Sequence, residues 1–189
     1  MAVRTQVAAK AERPAAAPCS AFIGIGANLG DAKATVLAAI GQIAALPQTR
    51  LVHRSSLYRT APVDASGDDY VNAVVEVSTC LAPLELLHTL QQLERQAGRK
   101  RPYRNAPRTL DLDVLLFGEL TLDSPELQVP HPRMWQRAFV LVPLAEIAPG
   151  RVSAAQLLAA SPAVSGQAVE KLAVALRSSP PRQAGPHGE

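Results

Sequence analysis

The sequence predicts an α+β fold: a ferredoxin-like βαββαβ antiparallel sheet with helices on one face and a helical C-terminal extension. Two observations predict it. Between residues 21 and 117 the apolar period alternates between two and 3.6 residues, in the order strand, helix, strand, strand, helix, strand. The changes of period fall on stretches rich in Pro, Gly, Asp and Ser, where the chain can turn.

The elements follow in order. AFIGIG (21–26) reads as the first strand and ANLGD as a turn; the glycines of GIGANLG, at 24, 26 and 30, miss both the dinucleotide and the P-loop spacings, and a tight strand-to-helix turn explains them. Val36, Leu37, Ile40, Ile43 and Leu46 then recur at helical spacing until Pro47. LVHRSSLYR (51–59) suits a second strand, and TAPVDASGDD (60–69) a loop. In YVNAVVEVS (70–78), Val71, Ala73, Val75 and Val77 take one strand face; Tyr70, Asn72, Val74 and Glu76 take the other. Pro83 opens a helix striped by Leu86, Leu90, Leu93 and Ala97, and Gly98 ends it. A basic loop (99–108) precedes the last strand, 109–117, and His131-Pro132 begins a helical stretch that runs into Pro143. Val169, Leu172 and Leu176 suggest a further amphipathic helix. Three regions result: a disordered tail over 1–19, one folded domain over 20–150, and a helical or disordered extension over 151–189.

Composition narrows the class. With 48% hydrophobic and 19% charged residues, the 189-residue chain is globular rather than disordered. Two cysteines, Cys19 and Cys80, are too few for a disulfide framework and lack zinc-site spacing, which favours a reducing compartment. No apolar run approaches the roughly 20 residues that span a bilayer, and the Ala/Pro-rich start has no apolar signal core, so a cytoplasmic protein is expected. A net charge of +3 does not by itself imply nucleic acid. The placement of the charge is more informative: Arg95, Arg99, Lys100, Arg101, Arg104 and Arg108 cluster just before the last strand.

That strand, within RTLDLDVLLFG (108–118), carries two carboxylates. Period two puts Asp111 and Asp113 on one face with Leu115 and Phe117, and Leu110, Leu112, Val114 and Leu116 on the other. The aspartates are then neighbours on the open side of the sheet, their Cα atoms roughly 7 Å apart. Adjacent like charges favour a cation between them, and Mg²⁺ takes carboxylate and phosphate oxygens. Two such ions, with arginines alongside, suit a phosphoryl group in transfer. Tyr70 and Asn72 also share an open face, suited to stacking on and hydrogen-bonding a flat molecule. Two plainer readings stand beside this one. The aspartates can cap turns or pair with arginines, and Tyr70 can be an ordinary surface aromatic.

RNAPRTLDLDVL (104–115) resembles the characteristic segment of the 6-hydroxymethyl-7,8-dihydropterin pyrophosphokinases, enzymes of folate synthesis. IGIGANLGD, SSLYRTAP, DYVNAVVEV, QQLERQAGR, VPHPRM and RAFVLVPLAEIAP occur in the same order as in that family, so the resemblance covers roughly residues 21–149. It implies transfer of diphosphate from ATP to the pterin hydroxymethyl group, with release of AMP. It also implies that Asp111 and Asp113 hold two Mg²⁺ ions, Asp111 lying near the reacting hydroxyl. Thr60, Ala61, Val63, Tyr70 and Asn72 match the pterin pocket, with Phe139 closing it opposite Tyr70. Gln91, Glu94, Arg99, Arg108, His131 and Arg137 match ATP-site positions, and Arg101 a loop arginine brought onto the phosphates. Arg99, Arg101 and Asp111 are the expected catalytic residues. Asn105-Ala106 stands where relatives often have Trp-Gly, and Glu126 and Pro132 where relatives can have an arginine and a tyrosine; these departures bear on the lid and on ATP affinity. The expected partners are the two small substrates, without nucleic acid or membrane, and the default expectation is a monomer.

Two rival functions follow from the same features. One is a non-catalytic nucleotide- or RNA-binding module that uses Tyr70 and the basic loop. The other is a metal-dependent nucleotidyl transferase. The reaction products separate all three.

Overall fold

The computed structural model describes residues 17–62, 67–98 and 109–173. Residues 1–16 of the expected tail, residues 174–189 of the expected extension with Leu176, Val63, and the basic loop with Arg99, Arg101, Arg104, Asn105, Ala106 and Arg108 lie outside these residues, whereas Cys19 of the expected tail already lies in a strand. The chain forms β1 (Cys19–Ala27), α1 (Ala32–Ala44), β2 (Thr49–Arg54), β3 (Tyr58–Thr60), β4 (Tyr70–Thr79), α2 (Pro83–Gln96) and β5 (Asp111–Phe117). There follow a small hairpin of β6 (Leu122–Asp123) and β7 (Gln128–Val129), then α3 (Ala138–Ile147), α4 (Ala154–Ala159), α5 (Pro162–Ser165) and β8 (Val169–Lys171). The main sheet is antiparallel, in the order β5-β1-β4-β3-β8, with β2 also paired to β4. None of the helices is long and apolar enough to cross a membrane, among the described residues.

Helix starts follow local chemistry. The Asp31 carboxylate accepts the Ala34 N–H at the start of α1. Pro83 occupies the first turn of α2, where the Glu85 carboxylate accepts the Ala82 N–H. Gly98, at φ +80°, takes the left-handed conformation just after that helix. Leu37 departs from the expected stripe: it is 42% exposed, and Ala39 takes its place in the core beside Val36, Ile40 and Ile43.

The sheet has a core on each face, so the helices are not confined to one. On the first face, α1 and α2 bury Val36, Ile40, Ile43, Leu86 and Leu90 against Ile23, Ile25, Ala73, Val75, Val77, Leu112 and Val114. On the second, α3 buries Val140, Leu141 and Leu144 against Phe22, Val74, Leu115 and Leu116. Each such aliphatic side chain contributes about 1.5–3 kcal/mol by leaving water. The α3 sequence, AFVLVPLAEI, is apolar almost throughout, which is why period alone could not say which face it covers.

Three further expectations change. Register slips between Phe22 and Ile23, whose partners are Leu116 and Val114, so Leu115 is the extra residue of a bulge in β5. Alternation restarts there: Phe117 joins the first core and Leu116 the second, the reverse of strict period two. The expected strand 51–59 is split into β2 and β3 at Ser55–Leu57. Across the break, Ser55 donates its N–H to the Val74 carbonyl and accepts the Val74 N–H on its Oγ. Finally, Val169 lies in β8, a strand on the edge of β3, rather than in a helix. Edge pairing is a long-range contact that local periodicity does not record.

One carboxylate fastens the second layer. Glu146 of α3 accepts bonds from the Ser56 N–H (2.8 Å), the Ser56 hydroxyl (2.8 Å), the Tyr58 hydroxyl (2.9 Å) and the Lys171 ammonium (2.9 Å). Burial pushes its pKa up, but the bonds from Lys171, Ser56 and Tyr58 outweigh it and hold the pKa down at about 2. Burial, and then the same carboxylate, push the Tyr58 pKa up to about 12. Because the folded-state pKa of Glu146 lies below its ordinary 4.5, its stabilisation is present above about pH 4.5 and is lost as pH falls toward 2. Urea unfolding of Glu146→Gln should therefore show lower stability at pH 7 and a flatter acid limb than wild type. Identical pH profiles would refute this assignment.

Candidate functional site

The open part of the second sheet face forms a cavity of about 340 Å³ beside the N-terminus of α3. Its floor comes from β1, which runs between β5 and β4. Gly24 and Gly26 of β1 stand in register with Asp113 and Asp111 of β5 on one side, and with Val74 and Asn72 of β4 on the other. A methyl group on Gly26 would come within 3.2 Å of Asn72 Oδ1, and one on Gly24 within 3.4 Å of Leu115. These glycines therefore make a shelf between the Asn72 amide and the aspartates. From the sequence a tight strand-to-helix turn accounts for all three glycines; in the fold only Gly30, at φ +61°, lies beyond the strand.

Above the shelf, the sheet supplies Thr60, Ala61, Tyr70, Asn72, Asp111 and Asp113, and the α3 side supplies Arg137 and Phe139. Asn72 and Thr60 are both buried, and the Asn72 amide donates to Thr60 Oγ1 at 2.9 Å. That bond fixes a rigid amide edge in the wall, apt for recognising a flat heterocycle. The Arg137 guanidinium lies 5.5 Å from the centre of the Phe139 ring and, on its other side, 3.5 Å from Asp113 Oδ2.

His131 stands behind this pair, with Nε2 4.0 Å from Asp113 Oδ2. Its Nδ1 accepts the Arg133 N–H at 3.2 Å, so the neutral ring carries its proton on Nε2, toward Asp113. Burial holds the His131 pKa below its ordinary value, and Arg137 and Arg133 act in the same direction against the Asp113 charge. A neutral donor facing a carboxylate is the resulting arrangement.

The fold thus brings together Thr60, Ala61, Tyr70, Asn72, Asp111, Asp113, Arg137 and Phe139. His131 adjoins them through Asp113. Gln91 and Glu94 are on α2, across β5, and neither lines the cavity. The Glu94 carboxylate is buried and accepts the Leu112 N–H at 2.8 Å, between the two aspartates in sequence. Arg133, Gln136 and Gln167 also line the cavity and were not foreseen. The basic spacing Arg133-x-x-x-Arg137 was a usable signal for the first; nothing local marked Gln167.

The donor set fits a hard cation. Asp111 and Asp113 present carboxylate oxygens on one strand face, Asp113 about one-third exposed, at the mouth of a cavity with room for a substrate. The described residues contain no group of three or more His, Cys, Asp or Glu side chains placed to hold a metal. Two carboxylates that leave positions open for water and phosphate are the pattern Mg²⁺ ordinarily uses.

Comparison with known proteins supplies a family for the chain. Residues 22–149 match the family model described as 7,8-dihydro-6-hydroxymethylpterin-pyrophosphokinase. The chain is 49% identical over 129 residues to the 2-amino-4-hydroxy-6-hydroxymethyldihydropteridine pyrophosphokinase of Pseudomonas aeruginosa, covering 68% of this chain and 80% of that protein. It is 44% identical over 131 residues to the enzyme of the same name from Bacillus subtilis, covering 67% and 77%. Among solved structures, it resembles Plasmodium falciparum HPPK-DHPS bound to pteroate, with a TM-score of 0.55 at 14% identity. That match covers 68% of this chain but only 38% of the Plasmodium chain, and at this identity it shows a shared fold.

Proposed function

The chain belongs to the 7,8-dihydro-6-hydroxymethylpterin-pyrophosphokinase family, and from that membership we propose that the cavity beside Asp111 and Asp113 is where it works. The activity is transfer of pyrophosphate from ATP to the hydroxymethyl group of the dihydropterin, in folate biosynthesis. The observation that carries the siting is the convergence, in one cavity, of a flat-ring wall (Thr60, Asn72, Tyr70, Phe139) with a carboxylate pair and Arg137.

In this reading the pterin lies over the Gly24–Gly26 shelf between Tyr70 and Phe139, with its polar edge on Asn72, Thr60 and the Ala61 backbone. The family resemblance assigns Val63 to the same pocket. Asp111 and Asp113 would hold two Mg²⁺ ions, which when bound neutralise the phosphate oxygens and polarise the group being transferred. The residues supply position and charge. Asp111 orients the hydroxyl toward the β-phosphorus, and Arg137 and His131 meet phosphate oxygens. Arg99, Arg101 and Arg108 bring further positive charge to the phosphates, while Gln91 and Glu94 serve the nucleotide side.

Bond making and breaking balance simply. The hydroxymethyl oxygen attacks the β-phosphorus in line, the bond from that phosphorus to the α–β bridging oxygen breaks, and AMP leaves with the electron pair. The hydroxyl proton passes to water or to a phosphate oxygen.

The finer topology fits the same picture. With β2 and β3 taken as one interrupted strand, the order β5-β1-β4-β2/β3 is that of a ferredoxin-like βαββαβ sheet, to which α3 and β8 are additions. Residues 20–150 form the pyrophosphokinase domain and 151–189 an extension. A monomer completes the reading, and the soluble substrates fit a cytoplasmic enzyme.

The deciding assay is product analysis with ATP, Mg²⁺ and 6-hydroxymethyl-7,8-dihydropterin. AMP with a diphosphorylated pterin is the expected result; ADP or free pyrophosphate would overturn it. Arg99→Ala and Arg101→Ala should each lower kcat more than they raise the KM for ATP, because their charge acts on the transferring group. A pure KM effect would assign them to ground-state binding instead.

A further inference from the structure

The family match ends at residue 149, yet a residue 18 positions further on lines the cavity. Gln167 accepts the Ala138 N–H on Oε1 at 3.1 Å, and its Nε2 donates to the Gln136 carbonyl at 3.4 Å. Ala138 is the first residue of α3 and stands between Arg137 and Phe139, the two α3-side residues that face the carboxylates and the flat-ring wall. One carboxamide therefore grips the backbone on both sides of Arg137.

The chain leaving Gln167 reaches the opposite wall at once. Val169 of β8 is in register with Thr60 of β3, and Thr60 is the partner of Asn72. Lys171, at the end of β8, is anchored to Glu146 of α3 at 2.9 Å. The cavity thus has two walls, sheet and helix, and residues 167–171 are tied to both. A wall residue held by a side chain's two hydrogen bonds is less free to move than one held by packing alone, and preorganisation of this kind appears as affinity.

We propose that residues 167–171 are a strap that fixes the width of the ring-binding slot, with Gln167 as a positioning residue for Arg137 and Phe139. This rests on the reading of the cavity as the pterin site. The strap acts on the flat heterocycle between the walls, so its loss weakens pterin binding much more than nucleotide binding.

The variant to make is Gln167→Met, which keeps the length and bulk of the side chain while removing both bonds. Binding of 6-hydroxymethylpterin and of a non-hydrolysable ATP analogue is measured separately by fluorescence or calorimetry on the full chain, with Tyr70→Ala alongside. Gln167→Met should weaken pterin binding about 5- to 20-fold, as expected for one or two lost positioning bonds. Analogue binding should change less than twofold, and Tm should stay within a few degrees of wild type. Gln167→Glu, which retains the acceptor for the Ala138 N–H but not the donor to Gln136, should fall between the two. Unchanged pterin affinity in Gln167→Met, or equal loss for both ligands, would overturn the strap. If Tyr70→Ala also leaves pterin affinity intact, the siting of the pterin itself fails, which is a different result.

Discussion

Asp113→Asn should lower kcat by about 10²–10³-fold or more while leaving the fold and Tm close to wild type. The reason is charge. Asparagine has nearly the shape of aspartate and still accepts a bond from Arg137, which lies 3.5 Å from Asp113 Oδ2. Packing is therefore kept and only the negative charge is lost. A carboxylate that holds a metal against phosphate supplies several kcal/mol of transition-state stabilisation, and each 1.36 kcal/mol is about tenfold in rate. Asp113 is about one-third exposed at the cavity mouth, so removing its charge leaves no buried group stranded. Steady-state kinetics at saturating ATP and Mg²⁺ test this, with thermal unfolding as the control. Turnover near wild type would overturn the proposed metal-holding role of Asp113.

The second large effect is on stability and comes from Glu94. This residue is only 2% exposed, and its carboxylate accepts the Leu112 N–H at 2.8 Å. Among the described residues β5 is the edge of the sheet, and no strand there receives an outward N–H of it. Glu94→Leu leaves that donor buried and unpaired, which costs about 1–3 kcal/mol, or roughly 2–12 °C in Tm. Glu94→Gln retains an acceptor and should recover most of the loss. Because Leu112 lies between Asp111 and Asp113, Glu94→Leu should also lose activity at temperatures where it is still folded. A Tm equal to wild type would show that water or another acceptor takes over the bond. These outcomes bear on the strand beneath the aspartates, and they separate that role from the nucleotide-side one proposed above.

Much of this protein was legible in its sequence because the relevant physics is local. Alternation in YVNAVVEVS put Tyr70 and Asn72 on the face opposite Val71, Ala73, Val75 and Val77, and in the fold those four enter the first core while Tyr70 and Asn72 line the cavity. Alternation in TLDLDV likewise put Asp111 and Asp113 on one face. The ordered motifs of the family carried the activity, which the family match supports.

What the sequence could not hold is what depends on distant partners. The bulge at Leu115 arises from the pairing of β5 with β1, so it reversed Leu116 and Phe117 without any local mark. The shelf function of Gly24 and Gly26 exists only because β1 runs between β4 and β5. Glu94 reads on its own helix as a polar residue, and only the neighbouring strand makes it a buried acceptor. Gln167 shows no periodicity and no motif. By itself the sequence determined which residue types share a strand or helix face, because side-chain direction follows from backbone period alone. The tertiary structure decided which faces meet, and so placed α3 on the second sheet face and Gln167 against the first turn of that helix. Those choices are made by burial and by pairing between segments far apart in the chain, where no local pattern reaches.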